Sequence, residues 1–194
     1  MSEQVFTVGH SNYEIGDFLA ILKNHEITAI GDVRSVPYSK YAPQFSEENL
    51  KNSLLEAGIS YVFLGHELGA RPANKALYFE DGQVDWDKVA DTKIFSDGID
   101  RVMVGACKYR LALMCSEKDP LGCHRTHLVA RHLVVRGADV FHILKAGNET
   151  HIKSHEEIIG ATKAGREPDL FRSPDEAVYE AAQSKLAYKR AGAG

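Results

Sequence analysis

Apolar positions along the chain follow two alternating periods. Val5 to Val8 is a short, β-branched run closed by Gly9, and Ile15 to Asn24 then places Ile15, Phe18, Leu19 and Leu22 at helical spacing. Ile27 to Val33 reads as a second strand, followed by an irregular stretch with Pro37 and Pro43 and a helix from Ser46 to Ala57. Ser46 suits its N-cap, Glu47 and Glu48 fall where the helix dipole favours acids, and Gly58 supplies the stop. Ile59 to Leu64 is a third strand, opening into a long polar segment, Gly65 to Asp85, of a length that is uncommon inside compact domains and often functional. One or two helices between Trp86 and Cys107 lead to Arg110–Cys115, whose near-continuous apolar run predicts a strand buried on both faces. Arg125 to Arg136 reads as a helix ended by Gly137, and Ala138 to Leu144 as a fifth strand.

Strands alternating with helices predict an α/β class, a single-domain three-layer Rossmann-like fold with a largely parallel five-stranded sheet. From Gly147 onward the pattern changes to short polar helical pieces with Pro168 and Pro174, then a helical stretch, Pro174 to Arg190, with Ala177, Val178, Ala181, Leu186 and Ala187 along one face. Residues 1–152 are therefore expected to form the α/β domain, and residues 153–194 a C-terminal helical extension with a frayed Ala-Gly-Ala-Gly end.

Composition narrows the classes. A net charge of −4 over 194 residues argues against a broadly basic nucleic-acid coat. Cys107, Cys115 and Cys123 are the three cysteines, an odd and sparse set that does not make a secreted disulfide scaffold. The sequence has no membrane-length apolar window, and its start lacks the basic and apolar regions of a signal peptide. The expectation is a soluble cytoplasmic protein with reduced thiols and no membrane partner.

In open parallel sheets, ligands bind beyond the carboxyl ends of the strands, so the residues that follow each strand carry the functional signal. Here they are Gly9-His10-Ser11-Asn12, Asp32-Val33-Arg34-Ser35, His66-Glu67-Leu68-Gly69-Ala70-Arg71, and Cys115-Ser116-Glu117 with Cys123-His124-Arg125-Thr126. The fifth strand is followed by Lys145, Asn148 and His151. A solvated rim explains the polarity of these segments but not the repeated choice of His, Arg and Cys.

The densest run leads from strand end to helix start, where free N–H groups attract an anion or lower a thiol pKa. The spacing differs from the phosphatase signature of arginine six residues after cysteine, since those positions hold Leu121 and Val129. Three roles compete for Cys115 and Cys123: a nucleophile activated by His124 or Arg125, soft metal ligands with His124 or His127, or small buried hydrophobes. Their eight-residue separation is unlike the short paired spacings of structural zinc sites, so no metal is assigned. Cys107, at a helix end without polar company, is read as packing. His151 and His155 have a helical chelating separation, but an exposed polar turn explains them better, with His151 still able to reach the crevice. Lys40, Tyr38 and Tyr41 suit either a planar ligand or an ordinary loop.

On these residues the chain resembles the uncharacterised DUF488 family. Thr7-Val8-Gly9-His10-Ser11-Asn12, Asp32-Val33-Arg34-Ser35-Val36-Pro37, Phe63-Leu64-Gly65 through Leu68-Gly69-Ala70-Arg71, the Cys115 to Arg125 run, Val140 to Leu144 and His151 carry the resemblance. It implies a compact α/β domain with a polar site built from these motifs, and supplies no established reaction.

The expected function is a small enzyme binding an anionic, phosphate-bearing or nucleotide-like ligand at the sheet edge. His10 and Asp32 are the candidate acid/base groups and Cys115 or Cys123 the nucleophile. Ser11, Arg34, Arg71, Glu117, His124, Arg125 and His151 are the candidate ligand-binding residues. The alternatives are a non-catalytic anion- or nucleotide-binding module and, lower, a nucleic-acid partner contacted by Arg34, Lys40, Arg71, Arg125 and Arg131. No cofactor is assigned.

Overall fold

In a computed structural model, described over residues 2–147, 149–163 and 173–190, the chain forms one mixed sheet between helical layers. The strands are β1 (Gln4–Gly9), β2 (Ala29–Asp32), β3 (Ser60–Phe63), β4 (Leu111–Cys115), β5 (Asp139–Ala146) and β6 (Glu149–Ser154). The helices are α1 (Ile15–Asn24), α2 (Glu47–Glu56), α3 (Gly65–Leu68), α4 (Trp86–Ala90), α5 (Lys93–Ala106), α6 (Arg131–Val135), α7 (His155–Lys163) and α8 (Pro174–Leu186). The sheet order is β3-β2-β4-β1-β5-β6; β1 to β5 run parallel and β6 pairs antiparallel with β5.

The two-residue period of the strands divides the core. Phe6, Val8, Ile30, Ala112 and Met114 face one layer, where Phe18, Ile21 and Leu22 of α1 and Leu50 and Leu54 of α2 cover them. Val5, Ala29, Leu111, Leu113 and Cys115 face the other, against Trp86, Val89, Phe95, Ile99, Val102, Leu128 and Leu133. Burial on both faces is why β4 has no polar position, and it makes the sheet a rigid platform for the loops at its carboxyl edge. Gly58, at φ +76°, takes the left-handed conformation that ends α2, whereas Ser46 occupies the N-cap without capping through its side chain, which instead accepts from Ser39 N.

Several expectations are corrected. The sheet has six strands, not five. β6 carries a polar sequence, Glu-Thr-His-Ile-Lys-Ser, as an edge strand can, and so shows none of the apolar signature of the buried strands. Gly147, at φ +60°, makes the tight turn into it. The predicted Arg125–Arg136 helix opens as a π-helix over Arg125–Ala130 before α6. Cys107 caps the C-terminus of α5 and is exposed, so it does not serve packing.

Helix α8 lies over the segment before α4. Gln183 accepts from Trp86 N at 3.0 Å and donates to Val84 O at 2.6 Å, and Ala182 joins the core. Asn148, Pro168 and the final Ala-Gly-Ala-Gly lie outside the described residues. Among the described residues no helix is long and apolar enough to cross a membrane.

Candidate functional site

The chain leaves β1 toward β2 and leaves β4 toward β5, so the two connections depart from neighbouring strands in opposite directions. That reversal is where parallel α/β sheets hold ligands. Beyond the strands, pairing continues: His10 N donates to Cys115 O and Ser11 N to Ser116 O, each at 2.9 Å. Gly9 is required for this approach, because a Cβ there would lie 1.9 Å from the Glu117 carbonyl oxygen.

One group of side chains centres on Asp32, fully buried at the end of β2. Arg34 Nε donates to Asp32 Oδ1 at 2.9 Å and Nη2 to Oδ2 at 2.6 Å, a bidentate pair. Tyr61 OH adds a 3.0 Å bond to Oδ2. The third guanidinium nitrogen, Nη1, reaches His10 Nε2 at 3.1 Å. His10 Nδ1 faces the Ser11 carbonyl at 2.7 Å and must donate to it, so Nε2 accepts from Arg34 and the ring is neutral. Burial and the Arg34 charge push the His10 pKa down to about 4, and the ring stacks on Phe45 with centroids 4.2 Å apart. Burial and the Asp32 charge push the Tyr61 phenol up.

The second group forms where β4 ends and the π-helix begins. Glu117 Oε2 lies 2.9 Å from Cys115 Sγ and 3.0 Å from Cys123 Sγ. His124 Nδ1 is 3.8 Å from both sulfurs. Cys123 is extended (φ −138°, ψ 141°) and His124 helical (φ −58°, ψ −26°), and this change of conformation turns two successive side chains toward the same point. His124 Nε2 donates to Val33 O at 3.2 Å, joining this group to the loop between Asp32 and Arg34. Arg125 N donates to Cys123 Sγ at 3.4 Å. Both sulfurs and the His124 ring are buried, while Glu117 is exposed.

The electrostatics split the thiols. Its bond to Cys123 and burial hold Cys115 well above the ordinary thiol range. Burial raises Cys123 too, but the Cys115 hydrogen bond and the charges of Arg125 and His124 outweigh it and hold Cys123 well below that range. Burial and the Cys123 charge raise Glu117. For His124, burial acts downward and is outweighed by Cys123 and Glu117, so its pKa is raised.

The structure thus brings together His10, Asp32 and Arg34 in one group, and Cys115, Glu117, Cys123, His124 and Arg125 in the other, with the two in contact. It changes the arginines' roles. Arg34 is engaged by Asp32 and His10. Arg125 is fully buried, with Nη1 and Nη2 donating to the Glu117 and Lys118 carbonyls at 2.7 and 3.2 Å. The expected basic strip therefore does not form: Arg34 and Arg125 face inward, and Arg131 lies over the Tyr179 ring. Arg71 is exposed, stacked on Tyr188 at 4.6 Å, its backbone N–H donating to Ser35 Oγ; among the described residues no carboxylate pairs with it. Ser11 is half-buried beside Ser116, and His151 stands exposed on β6, apart from both groups.

Sequence reasoning missed Tyr61, Phe45 and the Val33 carbonyl, none of which carries a motif. It also missed a buried chain on the far side of β1. Thr7 Oγ1 meets His142 Nδ1 at 2.8 Å, His142 Nε2 meets His155 Nδ1 at 3.1 Å, and His155 Nε2 meets Tyr179 OH at 2.9 Å. His155 starts α7 and is buried here, so its four-residue separation from His151 spans a strand–helix boundary and the pair does not share a helix face.

A family model described as "Domain of unknown function DUF488" matches residues 14–132, more than half of the chain and the part containing Asp32, Arg34 and the cysteine cluster. The chain belongs to that family. No curated protein and no solved structure matches it.

Proposed function

We propose that this DUF488-family protein is a small cytoplasmic enzyme whose reacting centre is the Cys115, Glu117, Cys123 and His124 cluster at the carboxyl edge of the sheet. Its substrate class is a small compound with an anionic, phosphate-bearing or nucleotide-like group. The observation that carries this reading is the meeting of two buried sulfurs on one carboxylate oxygen, at 2.9 and 3.0 Å, with an imidazole nitrogen facing both. Burying that many polarisable and ionisable groups together opposes folding, and such clusters concentrate at functional sites. Glu117, open to solvent on one side, is the group that can pass a proton between a substrate and the buried sulfurs. Arg71, hooked to the loop after β2 through Ser35 and without a carboxylate partner among the described residues, is the cation available to an anionic group.

A non-catalytic anion- or nucleotide-binding module is less well supported, because Arg34 and Arg125, the guanidiniums such a module would use first, are spent on internal partners. His10 and Asp32 act in this reading as positioning residues: the His10 lone pair is taken by Arg34 and Asp32 is closed by Arg34 and Tyr61.

The test is turnover by the reduced full-length protein of a panel of nucleotides and sugar phosphates, with products resolved by phosphorus NMR. At least one class is expected to be consumed, and Glu117→Gln to lower the rate by about 100-fold, the order expected for a lost acid/base group. Binding of panel members with none consumed would replace this reading by the binding module.

A further inference from the structure

We infer that Cys115, Cys123 and His124 bind a divalent transition-metal ion of the zinc type, leaving the fourth position open to solvent or substrate. The inference rests on reading this cluster as the functional centre and names the cofactor that the centre takes.

Four observations support it. The ligating atoms of Cys115, Cys123 and His124 all lie within 4.8 Å of one another, close to the separations set by bonds of about 2.0–2.3 Å to one central ion. Nδ1 of His124 is equidistant from both sulfurs, at 3.8 Å, as an apex over a shared centre would be. The opposite nitrogen, Nε2, donates to the Val33 carbonyl, the outer contact that fixes the tautomer of metal-bound histidines and leaves Nδ1 with its lone pair inward. The donor set of two sulfurs and one imidazole suits a borderline-soft tetrahedral ion and is wrong for magnesium or calcium, which take oxygen.

Packing agrees with this. The Arg125 amide, 3.4 Å from Cys123 Sγ, would add an outer hydrogen bond to a bound thiolate. The eight-residue separation of the cysteines fails to look like a zinc spacing because the ligands come from a strand end and a helix start, brought together by the fold. Glu117, exposed and hydrogen-bonded to both sulfurs, borders the open fourth position. Three protein ligands with one such position is the arrangement of catalytic rather than structural zinc.

The experiment is titration of the reduced, metal-stripped full-length protein with cobalt(II). Thiolate-to-cobalt charge-transfer absorption and the visible bands of a tetrahedral site are expected, saturating at one ion per chain and erased by zinc. Cys107→Ser leaves the spectrum unchanged, whereas Cys115→Ser and Cys123→Ser each weaken binding by at least about 100-fold. Glu117→Gln keeps the charge-transfer bands, since Glu117 borders the site without ligating. Absence of these bands with excess cobalt, or a Cys115→Ser spectrum identical to wild type, overturns the proposal. Should the cysteine variants fail to fold, alkylation of the wild type decides: zinc slows modification of Cys115 and Cys123 but not Cys107, and equal rates with and without zinc overturn it. Turnover by metal-free protein that zinc does not raise removes the metal and leaves the enzyme; tight cobalt binding with no turnover does the reverse.

Discussion

Arg34 grips Asp32 through two parallel hydrogen bonds, of 2.9 and 2.6 Å, with both side chains out of contact with water. Two residues apart in sequence, they form a closed unit that fixes the loop after β2, aims the third guanidinium nitrogen at His10 and holds the Val33 carbonyl where His124 meets it. An arginine that looks in sequence like an anion receptor is here an internal brace.

Breaking that brace from one side leaves a buried charge alone. Asp32→Asn is expected to destabilise the protein by about 3–5 kcal/mol, the range for removing one partner of a buried pair. Urea denaturation measures it. A loss below about 1 kcal/mol would mean that water reaches Arg34 and the unit is not closed.

Acid should weaken the fold through the neutral buried histidines. His10 and His155 have pKa values lowered to about 4 by burial first, so between there and the unfolded value of 6.5 only the unfolded chain takes up their protons. A group lowered on folding contributes fully above its unfolded pKa, and that contribution is lost as pH falls toward the folded value, up to about 3 kcal/mol for each histidine. His142, also lowered by burial, adds in the same direction. Denaturation midpoints measured from about pH 7.5 to about pH 4.5 should fall steadily, and His155→Gln should flatten the slope. A stability that is constant over this range would contradict the neutral state of these buried histidines.

Two glycines should respond oppositely to alanine. At Gly9 the added Cβ meets the Glu117 carbonyl at 1.9 Å, so the β1 and β4 loops must separate and the cysteine cluster lose its geometry. At Gly16, inside α1, nothing lies within 4 Å. Gly16→Ala is expected to raise stability by about 0.5–1 kcal/mol, and Gly9→Ala to lower it by at least about 2 kcal/mol. Equal effects would show that the close approach of the two loops is not a constraint.

β1 and β4 were legible because they are buried on both faces along most or all of their length, and so was the polar edge, since parallel strands send His10, Asp32 and Cys115 to one side. β6 was not, because a polar edge strand carries no pattern to distinguish it from a loop. The site was readable as a set of residues but not as a partition into roles. Whether Arg34 faces a ligand or Asp32 depends on side-chain direction, and the Val33 partner of His124 is a backbone carbonyl, which no residue type announces. The eight-residue cysteine spacing does not announce the meeting of the two sulfurs for the same reason: proximity here comes from tertiary folding of the loop between β4 and the π-helix.

The assignment of the reacting centre is tested most directly by the rate at which Cys123→Ser consumes whichever phosphate-bearing compound the wild type turns over, beside Cys107→Ser as control. Loss of about 100-fold or more in kcat/KM for Cys123→Ser, with Cys107→Ser unchanged, is the expected result. Turnover that survives Cys123→Ser at the wild-type rate would place the chemistry elsewhere on the sheet edge and contradict it.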